Sequence, residues 1–177
     1  MNLLENELIE LRSLESNDLD LLFSIENDSK FWEVSSTLTP YSKDILSQYL
    51  KNAHQDIYEA KQLRLVIARK ADSAIVGLID LFDFNPQHER AGIGILILNK
   101  FQKQGYAKSS LKLFLKYVFE HLDIKQVYAN IPIDNVNSLD LFKKLNFKEI
   151  GIKKNWIKTK GKFKDVLMLQ LLNPNNS

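Results

Sequence analysis

The chain has 177 residues, 45% of them hydrophobic and 26% charged, with a net charge of +2 and no cysteine. That is enough apolar material for one substantial core, and the lack of cysteine excludes disulfides, thiolate catalysis and cysteine-held zinc. No apolar run approaches the ~18 residues of a membrane span, so no membrane partner is expected, and His54, His88 and His121 stand too far apart to suggest a metal site.

The opening Met1-Asn2-Leu3-Leu4-Glu5 has no basic leader and is soon followed by Glu7 and Glu10, which predicts no secretory signal and a cytoplasmic protein. Ile9-Glu10-Leu11 alternates as a short strand. Ser16 stands before Leu19, Leu22, Phe23 and Glu26, a helical stripe with an N-cap and an acidic first turn. Over residues 30–41 the periodicity fails, and Trp32, Pro40 and Tyr41 suggest a loop. Ser42 caps a second helix that carries Leu46, Tyr49, Leu50, Ala53 and Ile57 on one face. Residues 63–68 and 75–84 read as strands joined by a turn at Lys70-Ala71-Asp72-Ser73, and Pro86-Gln87-His88 turns into a strand over 92–98.

The most informative stretch follows. The apolar strand runs into a loop with one glycine and no acidic residue, Lys100-Phe101-Gln102-Lys103-Gln104-Gly105-Tyr106-Ala107-Lys108, and then into a helix. That helix has Leu111, Phe114, Leu115, Val118 and Leu122 at three- and four-residue spacing. The arrangement aims successive backbone N–H groups and the positive end of a helix at one small volume, which suits a phosphate. Lys103 and Lys108 either add charge there or are solvated loop lysines. The loop lacks both the GxxxxGKS/T and the GxGxxG spacing; its pattern is Q-x-x-G-x-A, from Gln102 to Ala107.

Residues 126–131 read as a strand stopped by Pro132, residues 138–145 as a short helix, and residues 147–158 and 163–172 as two closing strands. Strands dominate early and then alternate with helices. This predicts an α/β protein of the α+β kind, one domain over residues 1–177, with a mixed sheet flanked by helices.

Charge divides along the chain. Residues 1–60 hold twelve acidic and four basic side chains, whereas residues 61–177 hold twenty basic and ten acidic ones. Each half is either a solvated face, or the basic half meets a polyanionic ligand while the acidic half meets a cationic amine. Tryptophan beside a carboxylate, as in Trp32-Glu33, suits an ammonium group. Nine lysines lie between Lys143 and Lys164, with Trp156 and Phe163 among them. A nucleic-acid partner would use such a run, but the isoelectric point near 8.6 is modest and argues against one.

The Gln102–Ala107 pattern resembles the pyrophosphate loop of the GNAT acetyltransferases. Two further segments strengthen the resemblance. Asp134-Asn135-Val136-Asn137-Ser138 through Lys144-Leu145-Asn146-Phe147 is similar to the family's asparagine-led helix, with Asn146 in place of the usual glycine. Residues 151–165 look like the closing hairpin of the subgroup that acetylates ribosomal-protein N-termini and spermidine. The resemblance implies a mostly antiparallel, splayed central sheet and acetyl-CoA as cofactor, with no metal. It implies coenzyme contacts from the backbone of Leu96 and Ile97, from Gln102, Lys103, Gln104, Gly105, Tyr106, Ala107 and Lys108, and from Asn135 and Ser138. Asn135 is equally suited to cap the following helix. Ser138 matches the position proposed as the acid in the N-terminal acetylases, and helix capping is its other role. Trp32, Glu33 and Tyr41 flank the segment that closes over the acceptor, a small-molecule or peptide amine. The resemblance also allows a homodimer. Two positions depart from the pattern: Phe142 stands where many relatives carry a tyrosine acid, and Gly92 where polyamine-type relatives carry a glutamate. They leave open a second class, an acetyl-CoA-binding sensor without turnover.

Overall fold

The computed structural model describes residues 3–35 and 37–176; Met1 and Asn2, where the leader reading begins, and Ser36 lie outside them. The strands are β1 (Ile9–Ser13), β2 (Leu63–Arg69), β3 (Ile75–Asn85), β4 (Arg90–Ile97), β5 (Gln126–Pro132), β6 (Lys148–Thr159) and β7 (Lys162–Leu172). They form one sheet in the order β1-β2-β3-β4-β5-β7-β6. Each neighbouring pair is antiparallel except β4 with β5, which is parallel. The helices are α1 (Leu19–Glu26), α2 (Ser29–Ser35), α3 (Lys43–Lys51), α4 (Ile57–Ala60), α5 (Tyr106–Glu120) and α6 (Val136–Lys144). This mixed, mostly antiparallel sheet flanked by helices is the expected class.

Alternation along the strands sends side chains to two cores. Ile9, Leu11, Leu65, Ile67, Ile79, Leu81, Ala91 and Ile93 pack with Leu111, Phe114, Leu115 and Val118 of α5. Val66 and Leu78, from the other face, pack with Leu14, Leu22, Ile25 and Leu46 beneath α1 and α3. The parallel pair is joined through α5, a crossover of the length such pairs require.

Three local expectations are corrected. The stretch expected as a loop contains α2, a two-turn helix in which Phe31 packs on the α1/α3 core while the indole of Trp32 donates to the Glu26 carbonyl at 2.8 Å. Ser42 does cap α3, accepting from Ile45 N–H at 3.2 Å, but the helix stops at Asn52. Ile57 belongs to α4, which Asp56 starts by accepting from the N–H groups of Tyr58 and Glu59. Finally, the entry to α1 is set by Asp18 and not by Ser16. Asp18 is buried and accepts from both Arg12 guanidinium nitrogens, at 2.8 and 2.9 Å, and from Glu15 N–H at 2.8 Å. Burial alone would raise the Asp18 pKa, but these donors outweigh it and hold the carboxyl below its usual value.

Candidate active site

The sheet parts between β4 and β5. Their parallel pairing covers only Arg90, Ala91 and Gly92 against Gln126, Val127 and Tyr128. Beyond that rung β4 stays on β3 as far as Ile97, and β5 stays on β7 as far as Pro132. Two glycines make this possible. A Cβ on Gly77 would sit 2.0 Å from the Leu96 carbonyl oxygen, so only glycine lets β3 draw the end of β4 in so closely. A Cβ on Gly92 would sit 2.2 Å from the Phe82 ring, which lies over this last paired position and meets Tyr128 of β5 edge-on, with centroids 6.1 Å apart. Phe82 therefore fills the volume beside Gly92, where a larger side chain would otherwise go. The Tyr128 hydroxyl donates to Asp83 at 3.2 Å, and its pKa is raised by burial and by that carboxylate.

The gap opens into a cavity of about 510 Å³. The loop after β4 closes one end. Gln102 Nε2 donates to the Ile97 carbonyl at 3.1 Å, and Gln104 Nε2 donates to the Lys100 carbonyl at 2.9 Å. These two amides staple the loop from within. Lys103 and Gly105 then take positive φ, 61° and 86°, which turns the chain into α5. The first intrahelical bond runs from Ser109 N–H to the Gly105 carbonyl, so the N–H groups of Tyr106, Ala107 and Lys108 have no acceptor within the helix. A Cβ on Gly105 would meet nothing within 4 Å. The glycine thus serves the backbone turn and leaves the space before the helix open. Lys103 and Lys108 line the cavity and are exposed. Tyr106 is buried, its ring against Phe101 at 6.0 Å and its hydroxyl within 3.4 Å of Arg69 Nη1, so it anchors the start of α5.

Helix α6 forms the wall across from β4. Asn135 caps it, its Oδ1 accepting from Ser138 N–H at 3.3 Å, and it lines the cavity as well. Ser138 also lines the cavity, and its hydroxyl makes no hydrogen bond to the described residues. Phe142, one turn on, is buried against Phe147 at 4.9 Å between ring centroids. Leu96, Ile97, Gln102, Lys103, Gly105, Tyr106, Ala107, Lys108, Asn135 and Ser138 thus surround one cavity. Gln104, expected among them, does not line it.

The three residues expected at the acceptor end are arranged differently, and none of them lines the cavity; their neighbour Phe31 does. The Trp32 indole is engaged with Glu26. Glu33 accepts from Lys164 Nζ of β7 at 2.8 Å, and Asp134 approaches the same nitrogen at 2.6 Å. Tyr41 is fixed through its backbone, donating to Asn27 Oδ1 at 2.8 Å, with an exposed ring. A second ionic group sits nearby on the α1/α3 face, where Arg64 bonds Glu26 and Asp80, each at 2.5 Å. Burial opposes the Arg64 charge, but Asp80, and after it Tyr49 and Glu26, outweigh it and raise its pKa. Sequence reasoning missed Phe31, Asn137, Phe82 and Lys164. Asn137 was findable as the second asparagine of the same helix start; the others are brought in by tertiary packing.

Among the described residues no group of three or more His, Cys, Asp or Glu side chains is placed to hold a metal, and no helix is long and apolar enough to cross a membrane.

A parted sheet that meets a helix N-terminus at one end and an asparagine-capped helix along its side is the arrangement that the GNAT resemblance implied. The model of the acetyltransferase (GNAT) domain matches residues 9–148, and the chain belongs to that family. It is an N-acetyltransferase, with acetyl-CoA as donor and an amine as acceptor. A spermidine N(1)-acetyltransferase of Vibrio cholerae is 25% identical over 170 residues, 94% of either chain. The Escherichia coli K12 enzyme of the same name is 27% identical over 146 residues, 81% of this chain and 74% of that one. A crystal structure of spermidine N-acetyltransferase from Vibrio cholerae in complex with CoA and spermine has a TM-score of 0.86 at 24% identity, over 95% of this chain and 97% of that one.

Proposed function

We propose that the cavity between β4 and β5 binds acetyl-CoA and that the chain, as one acetyltransferase domain, delivers the acetyl group directly to a primary amine of a small cationic molecule or a peptide N-terminus. The observation that carries this reading is the meeting of the parted strands with the unpaired first turn of α5 in one cavity of about 510 Å³. The N–H groups of Tyr106, Ala107 and Lys108 suit the pyrophosphate, with Lys103 and Lys108 adding charge. The facing edges of β4 at Leu96 and Ile97 and of β5 suit the amides of the pantetheine arm, which would take the ladder positions the splay leaves open. The Asn135 side-chain amide has its oxygen on the α6 cap and its nitrogen available to the cavity.

Bound acetyl-CoA supplies an activated thioester carbonyl for attack by the neutral amine, with coenzyme A leaving as its thiolate and the proton of the new amide nitrogen passing to solvent water. The chain's task is then to orient the acceptor, shed water and hydrogen-bond the leaving sulfur. Ser138 is suited to the last role because its hydroxyl is uncommitted and lines the cavity. Phe142 and Gly92 provide no proton donor or acceptor, so positioning carries more of the rate here than acid–base chemistry. The polyamine relatives support a cationic acceptor. Acetyl-CoA dependence fits a cytoplasmic location.

The test is release of coenzyme A from acetyl-CoA, read by thiol titration, with spermidine, an aminoglycoside, a short peptide and a simple monoamine as acceptors. Turnover with an acceptor, falling about 10- to 100-fold in Ser138→Ala and accompanied by weaker acetyl-CoA binding in Asn135→Ala, is the expected result. Firm acetyl-CoA binding without turnover on any amine would overturn it in favour of the sensor, with Phe142 and Gly92 as the cause.

A further inference from the structure

Lys164 joins three parts of the chain that are remote in sequence. It projects from β7 between Glu33 of α2, at 2.8 Å, and Asp134, at 2.6 Å. Phe31, two residues before Glu33, and Asn135, one after Asp134, both line the cavity. The trio therefore stands on the cavity's rim, where α2 approaches the start of α6. Two carboxylates converging on one primary ammonium is also how a free alkylammonium would be held. Hydrogen bonds to Asp134 and then Glu33 raise the Lys164 pKa, so the charge persists well above neutral pH. Glu26 and Asp80, on the α1/α3 face, are engaged by Arg64. Glu33, Asp134, Glu26 and Asp80 thus each face a cation that the chain itself supplies.

We propose that Lys164 is a specificity-determining residue: its tethered ammonium occupies the place that a second amine of a polyamine would take between Glu33 and Asp134, so the chain favours acceptors with a single amine. The proposal rests on the acetyl-transfer reading only for the statement that this rim is the acceptor's side. A soluble polyamine would have to displace a competitor whose effective concentration is of millimolar order because it is part of the chain. The discrimination is against the distal ammonium and leaves the reacting amine untouched. It therefore separates spermidine from a monoamine of similar reactivity.

The experiment measures spermidine binding by calorimetry to the wild-type chain, Lys164→Ala, Lys164→Met and the double variant Lys164→Ala/Glu33→Gln. Removing the tethered charge should tighten spermidine binding about tenfold, the scale of one charge-assisted hydrogen bond. The double variant should return it towards the wild-type value. Lys164→Met keeps the methylene packing and should show the same gain, which covers a folding defect in Lys164→Ala. Unchanged or weaker spermidine binding in both single variants would overturn the proposal. Where turnover is present, KM for spermidine should fall relative to KM for n-butylamine, with kcat for the two changing alike. A merely structural role for Lys164 would shift both KM values together. Binding is read without catalysis, so a chain that binds spermidine as described yet transfers no acetyl group would refute the enzymatic reading and leave this one standing.

Discussion

Replacing Gly92 by alanine tests how the sheet is made to part. The added Cβ would lie 2.2, 2.5 and 2.8 Å from three carbons of the Phe82 ring, and carbon–carbon contacts relax only at ~3.5–4.0 Å. The ring must therefore retreat by roughly 1 Å or more. Tyr128 packs on the same ring at near right angles, with centroids 6.1 Å apart, and β4 is held because Gly92 is itself paired with Tyr128 on β5. Overpacking of this kind costs ~1–3 kcal/mol. For a domain of this size ~2 kcal/mol lowers Tm by ~4–8 °C. Phe82→Leu shortens the obstructing side chain, so Gly92→Ala in that background should cost less than ~0.5 kcal/mol. A double-mutant cycle by urea unfolding should then give a coupling energy of ~1–2 kcal/mol. Additive effects, or a Gly92→Ala chain with wild-type Tm, would refute the account of Phe82 as the body that excludes side chains here. The same clash explains why this chain cannot carry a carboxylate at position 92 without also surrendering Phe82.

Other outcomes follow from the remaining geometry. Asp18→Asn should destabilise the chain by ~2 kcal/mol near neutral pH, because it removes a buried carboxylate that three N–H donors address. The folded pKa of Asp18 lies below its ordinary value of 3.8, so its contribution is complete above that value and is lost as pH falls through the folded one. Urea titrations below about pH 4 should accordingly show a shallower decline in the variant than in the wild type. Gly105→Ala forces a β-carbon into the left-handed region and should cost ~1–2 kcal/mol in thermal unfolding. Its Cβ touches nothing in the chain itself, so a loss of acetyl-CoA affinity in a still-folded Gly105→Ala would come from contact with the ligand; unchanged affinity would remove the pyrophosphate from that position.

The sequence yielded the strands to within a residue or two because period-two alternation and the flanking turn residues agreed, as at Lys70-Ala71-Asp72-Ser73 between β2 and β3. The loop before α5 was legible for a similar reason: Gly105 and the apolar face of the following helix are both local signals. The failures were tertiary. Helix α2 carries Phe31 and Trp32 side by side, with no apolar repeat; its hold comes from the core under α1 and from the Glu26 carbonyl. The start of α1 was read with Ser16 as its cap, whereas it depends on Asp18, held by Arg12 from the preceding strand. No spacing could bring Glu33 and Lys164 together across 131 positions. Phe82 over Gly92 needs a strand register that a single sequence does not declare.

The single short rung between β4 and β5 divides the molecule in a further sense. Strands β1 to β4 are consecutive in the chain and so are β5 to β7, so each block completes its own ladders, and among the described residues the ladder between the blocks has three residue pairs. Those amide hydrogens along 93–97 and 129–131 that face the gap have no ladder partner across it, so their exchange need disturb neither block. A pantetheine arm lying in the gap would bridge those two edges and protect those amides, by a free energy that grows with the logarithm of acetyl-CoA concentration above its Kd. On this view the donor substrate also serves as a removable eighth strand, and the enzyme is at its most rigid when it is loaded for reaction.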